Sequence, residues 1–435
     1  MTNATTTPKR ASKLKPVFYG LAEMGPASID IFLKVYLLLY FNVIMGLSPT
    51  LTSLAIGLGV MWDALIDPWI GVYSDRYYKF KGHRKMLIYT AILISVGLFM
   101  TLWRLPVMSE TWTFILLFII SSLLNSAISL FSVPYIAVAN DLIVSNEERK
   151  PWIGWRLAFF NFGSFLGLVI PAYFLTQAAA LQPGVQAEPY QQATIILGLI
   201  MIVVSTFSIY FVYRGQSTRV QQSDAQTATT FRSLLKDKTF LRLMVSFFVV
   251  NCGLGLNSAL ALYYYKDYLE FTEQQTQIIL VSFLLVFTLS IPLWVYLTRF
   301  FDKQKLVMTG AFFLGLMTVV AFPHFKGVNF WIIASLASGV GGILVGVAVV
   351  LEIYLSDFLR LKEEQTGVNV SGQYLGIWKM ASKVSRAVAI ALAGPILESV
   401  TDKQVLANYF GWGVGLFFMA GALVIAIPVK ATRVD

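Results

Sequence analysis

Long apolar stretches alternate with short polar ones along nearly the whole chain. Each stretch is about 20 residues long or longer, which is the length that an α-helix needs to cross the hydrocarbon core of a bilayer. The pattern therefore predicts an all-α membrane protein with twelve transmembrane helices. The predicted spans are residues 17–45, 51–73, 85–105, 111–140, 154–178, 191–213, 239–266, 274–298, 305–323, 330–356, 373–397 and 405–429.

The longest polar interruption follows the sixth span and divides the spans into two sets of six. Its first part is rich in Gln, Ser, Thr and Ala, and residues 231–238 form a short amphipathic pattern typical of a helix on the membrane surface. Two six-helix bundles joined in this way resemble the major facilitator superfamily (MFS), in which substrate binds between the halves. The predicted parts are a cytoplasmic tail (1–16), an N-terminal bundle (17–213), a cytoplasmic linker (214–238) and a C-terminal bundle (239–435).

Basic residues concentrate in every second loop between the predicted spans. Residues 74–85 and 299–305 are rich in Lys and Arg, whereas residues 46–50 contain neither. Because cytoplasmic loops are enriched in these residues, both termini are predicted to lie in the cytoplasm. This placement also accounts for the formal net charge of +10, so no nucleic-acid partner is expected.

The composition, 57% hydrophobic and only 13% charged, is typical of an integral membrane protein. The sequence contains no Walker loop, no Gly-x-Ser-x-Gly elbow and no His-Glu-x-x-His motif. We therefore predict a monomeric multi-pass protein of the plasma or inner membrane that is not an enzyme. Its expected partners are a small-molecule substrate and the lipid bilayer, and without a nucleotide site the energy for uphill transport must come from an ion gradient.

Two carboxylates stand inside the second span. Asp63 and Asp67 are four residues apart and so lie on one face of a helix. Such a pair repels itself unless a cation or a basic side chain lies between the two groups. We predict a binding site for Na⁺ or H⁺, which a hydroxyl of the fourth span, where Ser126, Ser129 and Ser132 stand, would complete. If the ion is Na⁺, Asp63 and Asp67 are its metal ligands, and no other cofactor is expected.

The eleventh span carries a stripe of positive charge. Lys379, Lys383 and Arg386 follow one another at helical spacing, so they share a face and need anions opposite them. The candidate anions are the carboxylates of Asp63, Asp67, Glu352 and Asp357, or an anionic substrate.

Several other polar residues inside the spans are candidates for substrate binding. On the first span, Asp30 and Lys34 are spaced to form an ion pair, which either is structural or lines a cavity. Arg156 either extends to the membrane interface or reaches the cavity, and Ser132 either aids helix packing or contacts substrate. The full predicted substrate set is Asp30, Lys34, Ser132, Arg156, Trp378, Lys379 and Arg386.

Two short loops combine an acid with several bases at equivalent places in the two halves. The loop after the second span contains Asp75 and Arg76, and the loop after the eighth contains Arg299 and Asp302. Two interpretations stay open, and the same residues can serve both: a cytoplasmic ion-pair latch between helices in one transport state, or charge that sets the topology.

Three segments resemble the glycoside–pentoside–hexuronide:cation symporter family, to which melibiose permease belongs. They are residues 62–68, the region 133–159 around the fourth and fifth spans, and residues 372–383. The resemblance implies that Asp63 and Asp67 bind the coupling cation and that Ser129 assists them. It also implies that Lys383 links the cation and substrate sites, and that Arg156 lies near the sugar.

The sugar-binding positions depart from that family's pattern. Where melibiose permease grips its sugar with aspartates on the first and fourth helices, this chain has Ala27 and Ser132, and Ile136 replaces a stacking tryptophan. A plain galactoside is therefore not expected, and with Lys379 and Arg386 present an anionic, uronate-type glycoside fits better.

Taken together, the sequence predicts a secondary active transporter. It would carry a small polar organic solute, a sugar or a glycoside or uronide, in symport with Na⁺ or H⁺ by alternating access. The alternative is a symporter of lysophospholipids or other amphiphiles with the same fold. A membrane sensor or scaffold is the third hypothesis, although the chain lacks the soluble domain that would favour it.

Overall fold

The computed structural model describes residues 14–142, 146–181, 186–214, 237–366 and 371–427. Regular structure in these ranges is helical throughout, and twelve helices are long and apolar enough to cross a membrane. The predicted fold class is confirmed in these respects. The tail 1–13 and nearly all of the predicted linker, including its amphipathic segment, lie outside the described residues.

The membrane-spanning helices are numbered α1 to α12 in chain order. Their bounds are α1 Lys15–Ile44, α2 Pro49–Lys81, α3 Lys85–Leu102, α4 Glu110–Ala139, α5 Pro151–Ala180, α6 Glu188–Tyr213, α7 Lys238–Tyr268, α8 Glu273–Leu297, α9 Lys303–His324, α10 Phe330–Gln365, α11 Tyr374–Glu398 and α12 Lys403–Ala426. Both α2 and α10 extend well past the predicted spans, because polar residues at their ends continue the helix beyond the apolar stretch. The end of the bundle that carries Lys15 and Ala426 is called the terminus side, and the opposite end the far side.

The same helix pairs pack in both halves. Helix α1 packs on α5 and α6 as α7 packs on α11 and α12, while α2 packs on α4 as α8 packs on α10. The halves meet where α2 contacts α11, α5 contacts α8 and α1 contacts α7. This arrangement brings the middle of α1, α2, α4, α7 and α11 together along the centre of the molecule.

The turn between the first two helices of each half is repeated in detail. Tyr40 and Tyr264 begin π-helical turns at the ends of α1 and α7. The Tyr40 hydroxyl donates to the Trp103 carbonyl at 2.8 Å, and the Tyr264 hydroxyl donates to the Phe322 carbonyl at 2.6 Å. The next helix is then capped by the side chain of Ser48 in one half and by that of Thr272 in the other. The two halves are therefore an internal structural repeat.

The repeat also fixes which positions correspond across the halves. Gly46, with a φ of 72°, stands where the second half has Glu270, with a φ of 56°. Pro68 inside α2 stands where α8 has Pro292. By the same spacing, Asp63 and Asp67 of α2 correspond to Phe287 and Ile291 of α8. The acidic pair is thus confined to one half.

On the far side, the two halves are in direct contact through α2 and α11. Gly394 of α11 lies so close to Ser53 and to the backbone of Pro49 and Thr50 that a Cβ there would overlap them. Small residues permit this kind of close approach between membrane helices. The backbone N–H of Thr50 also donates to Glu398 at 3.1 Å. The far side is therefore closed in this conformation.

The terminus side is arranged differently. There α2 and α8 expose residues on more than one face, and Trp69, Tyr73 and Tyr296 are each at least half exposed. At the terminus-side end of α11, a Cβ added to Gly376 would meet nothing within 4 Å. At this end the helices therefore lack the close packing that is seen on the far side.

We expect Gly394→Val to weaken closure of the far side, because the added side chain would overlap α2. In a Thr50→Cys background, the rate of labelling by a membrane-impermeant maleimide should rise several-fold, while the buried native Cys252 stays unreactive. Gly97→Val is the matched control, since a Cβ at Gly97 meets no neighbour within 4 Å. An unchanged labelling rate in a well-folded Gly394→Val protein would contradict this account of the contact.

Candidate functional site

A cavity of about 500 Å³ lies at the centre of the molecule, between the halves. Its walls come from α1, α2, α4, α7 and α11, and its size suits a small organic ligand. Charged side chains dominate its polar lining. The described ones are Asp30, Lys34, Asp63, Asp67, Lys379, Lys383 and Arg386.

The α2 carboxylates meet the α11 lysine across the interface between the halves. The Lys383 ammonium lies 2.7 Å from Asp63 Oδ2 and 2.5 Å from Asp67 Oδ2. It also donates to Ser129 Oγ at 3.2 Å, and Ser129 in turn donates to Asp63 Oδ1 at 2.6 Å. The structure thus brings together all four residues that were predicted to bind and couple the cation. We call Asp63, Asp67, Ser129 and Lys383 the cation cluster.

Local sequence explains why the cation cluster forms here. Asp63 and Asp67 are one turn apart on α2, so both carboxylates point the same way. Asp63 is only 4% exposed, and a carboxylate so deep in the membrane needs a cation or donors around it. With Lys383 and Ser129 in place, this requirement is met by the protein itself.

The oxygen atoms of the cation cluster fit a bound monovalent cation. Two carboxylates and a hydroxyl converge on one positively charged nitrogen, and hard oxygen donors are the ligands that Na⁺ prefers. In addition, Asp67 Oδ1 is buried and has no hydrogen-bond partner among the described residues. That oxygen is free to bind an ion. The ammonium of Lys383 therefore stands where the chemistry of the donors suits Na⁺ or, with one carboxyl protonated, H⁺.

A second ion cluster joins the halves close to the first. Asp30 of α1 lies 2.5 Å from Lys34 Nζ and 3.2 Å from Arg386 Nη1. Arg386 follows Lys383 by less than one helical turn on α11, so both clusters involve the same helix. Lys34 and Arg386 thus share one carboxylate, and we call these three residues the Asp30 cluster.

Two further predicted residues lie at the terminus-side end of the cavity. Lys379 lines the cavity, and Arg156 is within electrostatic range of it. Arg156 is itself hydrogen-bonded to Tyr19 and lies near Glu23. Arg156 therefore contacts residues of the N-terminal half and does not line the cavity.

The fourth-helix positions were predicted to decide the substrate. Ser132 and Ile136 line the cavity as expected. Ala27, in contrast, is 2% exposed and packs inside the N-terminal half. Neither of the two aspartates expected of a galactoside transporter has a counterpart here.

The predicted substrate role of Trp378 is not supported. Its indole is 3% exposed, stacks on Phe247 with ring centroids 3.8 Å apart, and donates to Glu352 at 2.9 Å. The side chain therefore packs inside the C-terminal half instead of facing the cavity. Trp378 directly precedes Lys379 of the charged stripe, but one residue turns a helix by about 100°, and this places the indole against α7 instead of the cavity.

The predicted latch residues are not brought together in this conformation. Asp75 pairs with Arg84, in the loop that follows its own helix, at 2.9 Å, and Asp302 accepts the backbone N–H of Lys305 at the start of α9. Arg76 and Arg299 are exposed. Each acid thus has a local partner that the spacing of charges alone did not indicate.

Other acids that were candidates for the α11 stripe also have partners elsewhere. Asp357 pairs with Lys303 of α9, and Glu352 accepts from Trp378. Two cavity residues on α7, Asn251 and Ser258, were not predicted. Their signal in the sequence was the presence of polar residues in the otherwise apolar seventh span.

The fold and the site define a membrane transporter whose two halves enclose a charged central cavity. The family described as MFS/sugar transport protein matches residues 18–427, and the chain belongs to it. The protein is accordingly a multi-pass membrane protein and a transporter, not an enzyme.

Three distant relatives illustrate the range of similar proteins. An uncharacterized symporter of Bacillus subtilis is 22% identical over 400 residues, which are 90% of this chain and 84% of that protein. An uncharacterized symporter of Synechocystis is 27% identical over 197 residues, 44% of this chain and 34% of that protein. Sodium-dependent lysophosphatidylcholine symporter 1 of Gallus gallus is 22% identical over 321 residues, 65% of this chain and 58% of that protein. The matched region thus spans only a third of the Synechocystis protein and little over half of the Gallus gallus one.

We expect Lys383→Gln to tighten Na⁺ binding in the absence of substrate, because it removes the ammonium that competes for the carboxylates. In a thermal-shift titration of the purified protein, the Na⁺ concentration for half-maximal stabilisation should fall by about tenfold, the change that about 1.4 kcal/mol produces. Lys305→Gln, an exposed lysine at the start of α9, is the control and should behave as wild type. Weaker Na⁺ stabilisation in Lys383→Gln would show that the lysine supports the ion instead of competing with it.

Proposed function

We propose that this protein is a secondary active transporter that couples inward movement of Na⁺ or H⁺ to symport of a small polar organic solute. The observation that carries the proposal is the position of the Lys383 ammonium, between Asp63, Asp67 and Ser129. An internal cation there bridges the two halves, so an external cation that takes its place changes how the halves are held together.

The physical basis of coupling is competition for the same oxygen atoms. Breaking a buried ion pair without replacement costs about 3–5 kcal/mol, so Lys383 does not leave the carboxylates on its own. A coupling ion supplies the replacement charge and releases the lysine. The released ammonium then lies in the cavity wall, where it attracts substrate. Ion and substrate are thereby linked through one side chain.

Alternating access would follow from the same bridge. In the described conformation the far side is closed by the contact of α2 with α11. Because Lys383 connects the middle of those same two helices, its release would allow α11 to move relative to α2. We propose the monomer as the transporting unit, the plasma or inner membrane as its location, and no cofactor besides the coupling ion.

The proposed substrate class is a sugar derivative, a glycoside or a uronide. Hydroxyl and amide groups of Ser132, Asn125, Asn251 and Ser258 line the cavity beside its charged residues. These groups suit a solute with several hydroxyls. The family description, MFS/sugar transport protein, supports the same class.

A lysophospholipid or similar amphiphile is the second candidate substrate. Its support is the similarity to the sodium-dependent lysophosphatidylcholine symporters of Gallus gallus and other vertebrates, at 21–23% identity. The absence of sugar-gripping aspartates at Ala27 and Ser132 agrees with this candidate. Competition assays distinguish the two: inhibition of labelled lysolipid uptake by lysolipids but not by sugars would favour the amphiphile.

We expect Asp67→Asn to abolish gradient-driven uptake, because it removes one of the two carboxylates from the coupling ion. In proteoliposomes, accumulation of substrate driven by a Na⁺ or pH gradient should fall to the level of empty liposomes. Asp402→Asn is the matched control, since asparagine caps a helix as well as the aspartate that now caps α12. Full gradient-driven uptake by a correctly inserted Asp67→Asn protein would refute the assignment of the ion site.

A further inference from the structure

The balance of charge around the cavity changes when a coupling ion enters. Of the four basic residues that line it, Lys379 lies at the terminus-side end, where Arg156 is a basic neighbour and Glu23 and Glu352 are acids within electrostatic range. The other three, Lys34, Lys383 and Arg386, are matched by the carboxylates of Asp30, Asp63 and Asp67. The three positive charges equal the three negative ones, so an added cation leaves one positive charge without a negative partner.

An unmatched charge in the middle of the membrane is costly, because water cannot fully solvate it there. The unmatched charge would be the Lys383 ammonium, because the coupling ion takes its carboxylates. Asp30 cannot neutralise this charge, since Lys34 and Arg386 already share its carboxylate. A substrate that carries one negative charge would restore the balance. A neutral substrate would not.

The geometry of the Asp30 cluster shows where such a charge can bind. Lys34 and Arg386 converge on Asp30 from two different helices, α1 and α11. Arg386 reaches Asp30 through Nη1, while its Nε is buried and has no hydrogen-bond partner among the described residues. The guanidinium is therefore engaged through one donor, although its planar fork is suited to bind a carboxylate or phosphate through two.

We propose that Arg386 and Lys34 form a receptor for an anionic group of the substrate, and that Asp30 is an internal competitor for that receptor. Asp30 occupies the two basic side chains until a carboxylate or phosphate displaces it. This assignment revises the expectation that Asp30 itself binds substrate. It rests on the proposed transport function, whose substrate class it narrows to organic monoanions.

The two ion clusters then work in the same manner. In the cation cluster, an internal cation (Lys383) is exchanged for an external one. In the Asp30 cluster, an internal anion (Asp30) is exchanged for an external one. Both exchanges involve α11, so the arrival of ion and substrate together would release that helix from α1 and α2 at once.

The anionic group has two chemical sources that the cavity does not distinguish: a uronic acid sugar and a lipid phosphate. Matched probes separate them. Methyl β-D-glucuronide carries a carboxylate where methyl β-D-glucoside carries a hydroxymethyl group, and lysophosphatidylglycerol carries an anionic phosphoglycerol group that monoacylglycerol lacks. Binding of each probe to the purified protein in Na⁺ is measured by thermal shift.

We expect one anionic probe to stabilise the wild-type protein at lower concentration than its neutral counterpart. Asp30→Asn should lower the half-maximal concentration of that probe by about tenfold, because the competing carboxylate is gone. Arg386→Gln should remove the preference for the anion. The double variant Asp30→Asn with Arg386→Gln should not show the tighter binding of the anionic probe expected for Asp30→Asn alone. The control Asp402→Asn should bind each probe as wild type does.

Two results would overturn the proposal. One is weaker binding of the anionic probe in Asp30→Asn, since this would make Asp30 a ligand. The other is equal binding of charged and neutral probes in both wild type and Asp30→Asn. If uptake depends on an ion gradient but shows no anion preference, only the anion receptor fails. If anions bind as expected but no gradient drives uptake, only the proposed coupling fails.

Discussion

The ion bridge from Lys383 to Asp63 and Asp67 is the interaction on which the central architecture depends. Neither partner is stable alone in the membrane interior: two carboxylates one helical turn apart repel each other, and a lysine there lacks water. Together they stabilise each other at 2.5–2.7 Å and hold α11 against α2. A bridge this strong would suit ion coupling, because Lys383 can leave the carboxylates at low cost only when another cation replaces it.

The internal repeat explains why such a bridge joins the halves and is not buried within one of them. The repeat supplies two similar sets of six helices, with the same turn after α1 and after α7. The charges do not follow the repeat, since Phe287 and Ile291 stand where α2 has its carboxylates. Symmetric packing thus provides two bodies that can move against each other, and asymmetric charge provides the link between them.

The sequence predicted the spans and the cation cluster well, and the reason is physical. A charged residue in an apolar stretch is expensive enough to require a partner, so Asp63 and Asp67 stood among the candidate partners of the α11 bases. The family resemblance then singled out Lys383 among those bases. Trp378 could not be placed, because an aromatic residue is equally at home against Phe247 or in a cavity. The latch of Asp75, Arg76, Arg299 and Asp302 stays a prediction for another transport state, because in this conformation the exposed Asp75 pairs locally with the buried Arg84. The more deeply a charged side chain is buried, the fewer partners can stabilise it, and the better its partner can be predicted from the sequence.

Charge balance also limits which states of the transporter are stable. With neither ligand, both clusters are satisfied internally and α11 is held to α1 and α2. In the proposed mechanism, the ion alone displaces Lys383 while Arg386 remains on Asp30, so one of the two bridges still holds α11 and a positive charge is left unmatched. Movement of the halves in that state would carry the unmatched charge through the membrane interior, which is costly. The proposed exchanges would therefore disfavour an ion leak and favour movement only when the charges of the two clusters balance, either among the internal groups or with both ligands bound.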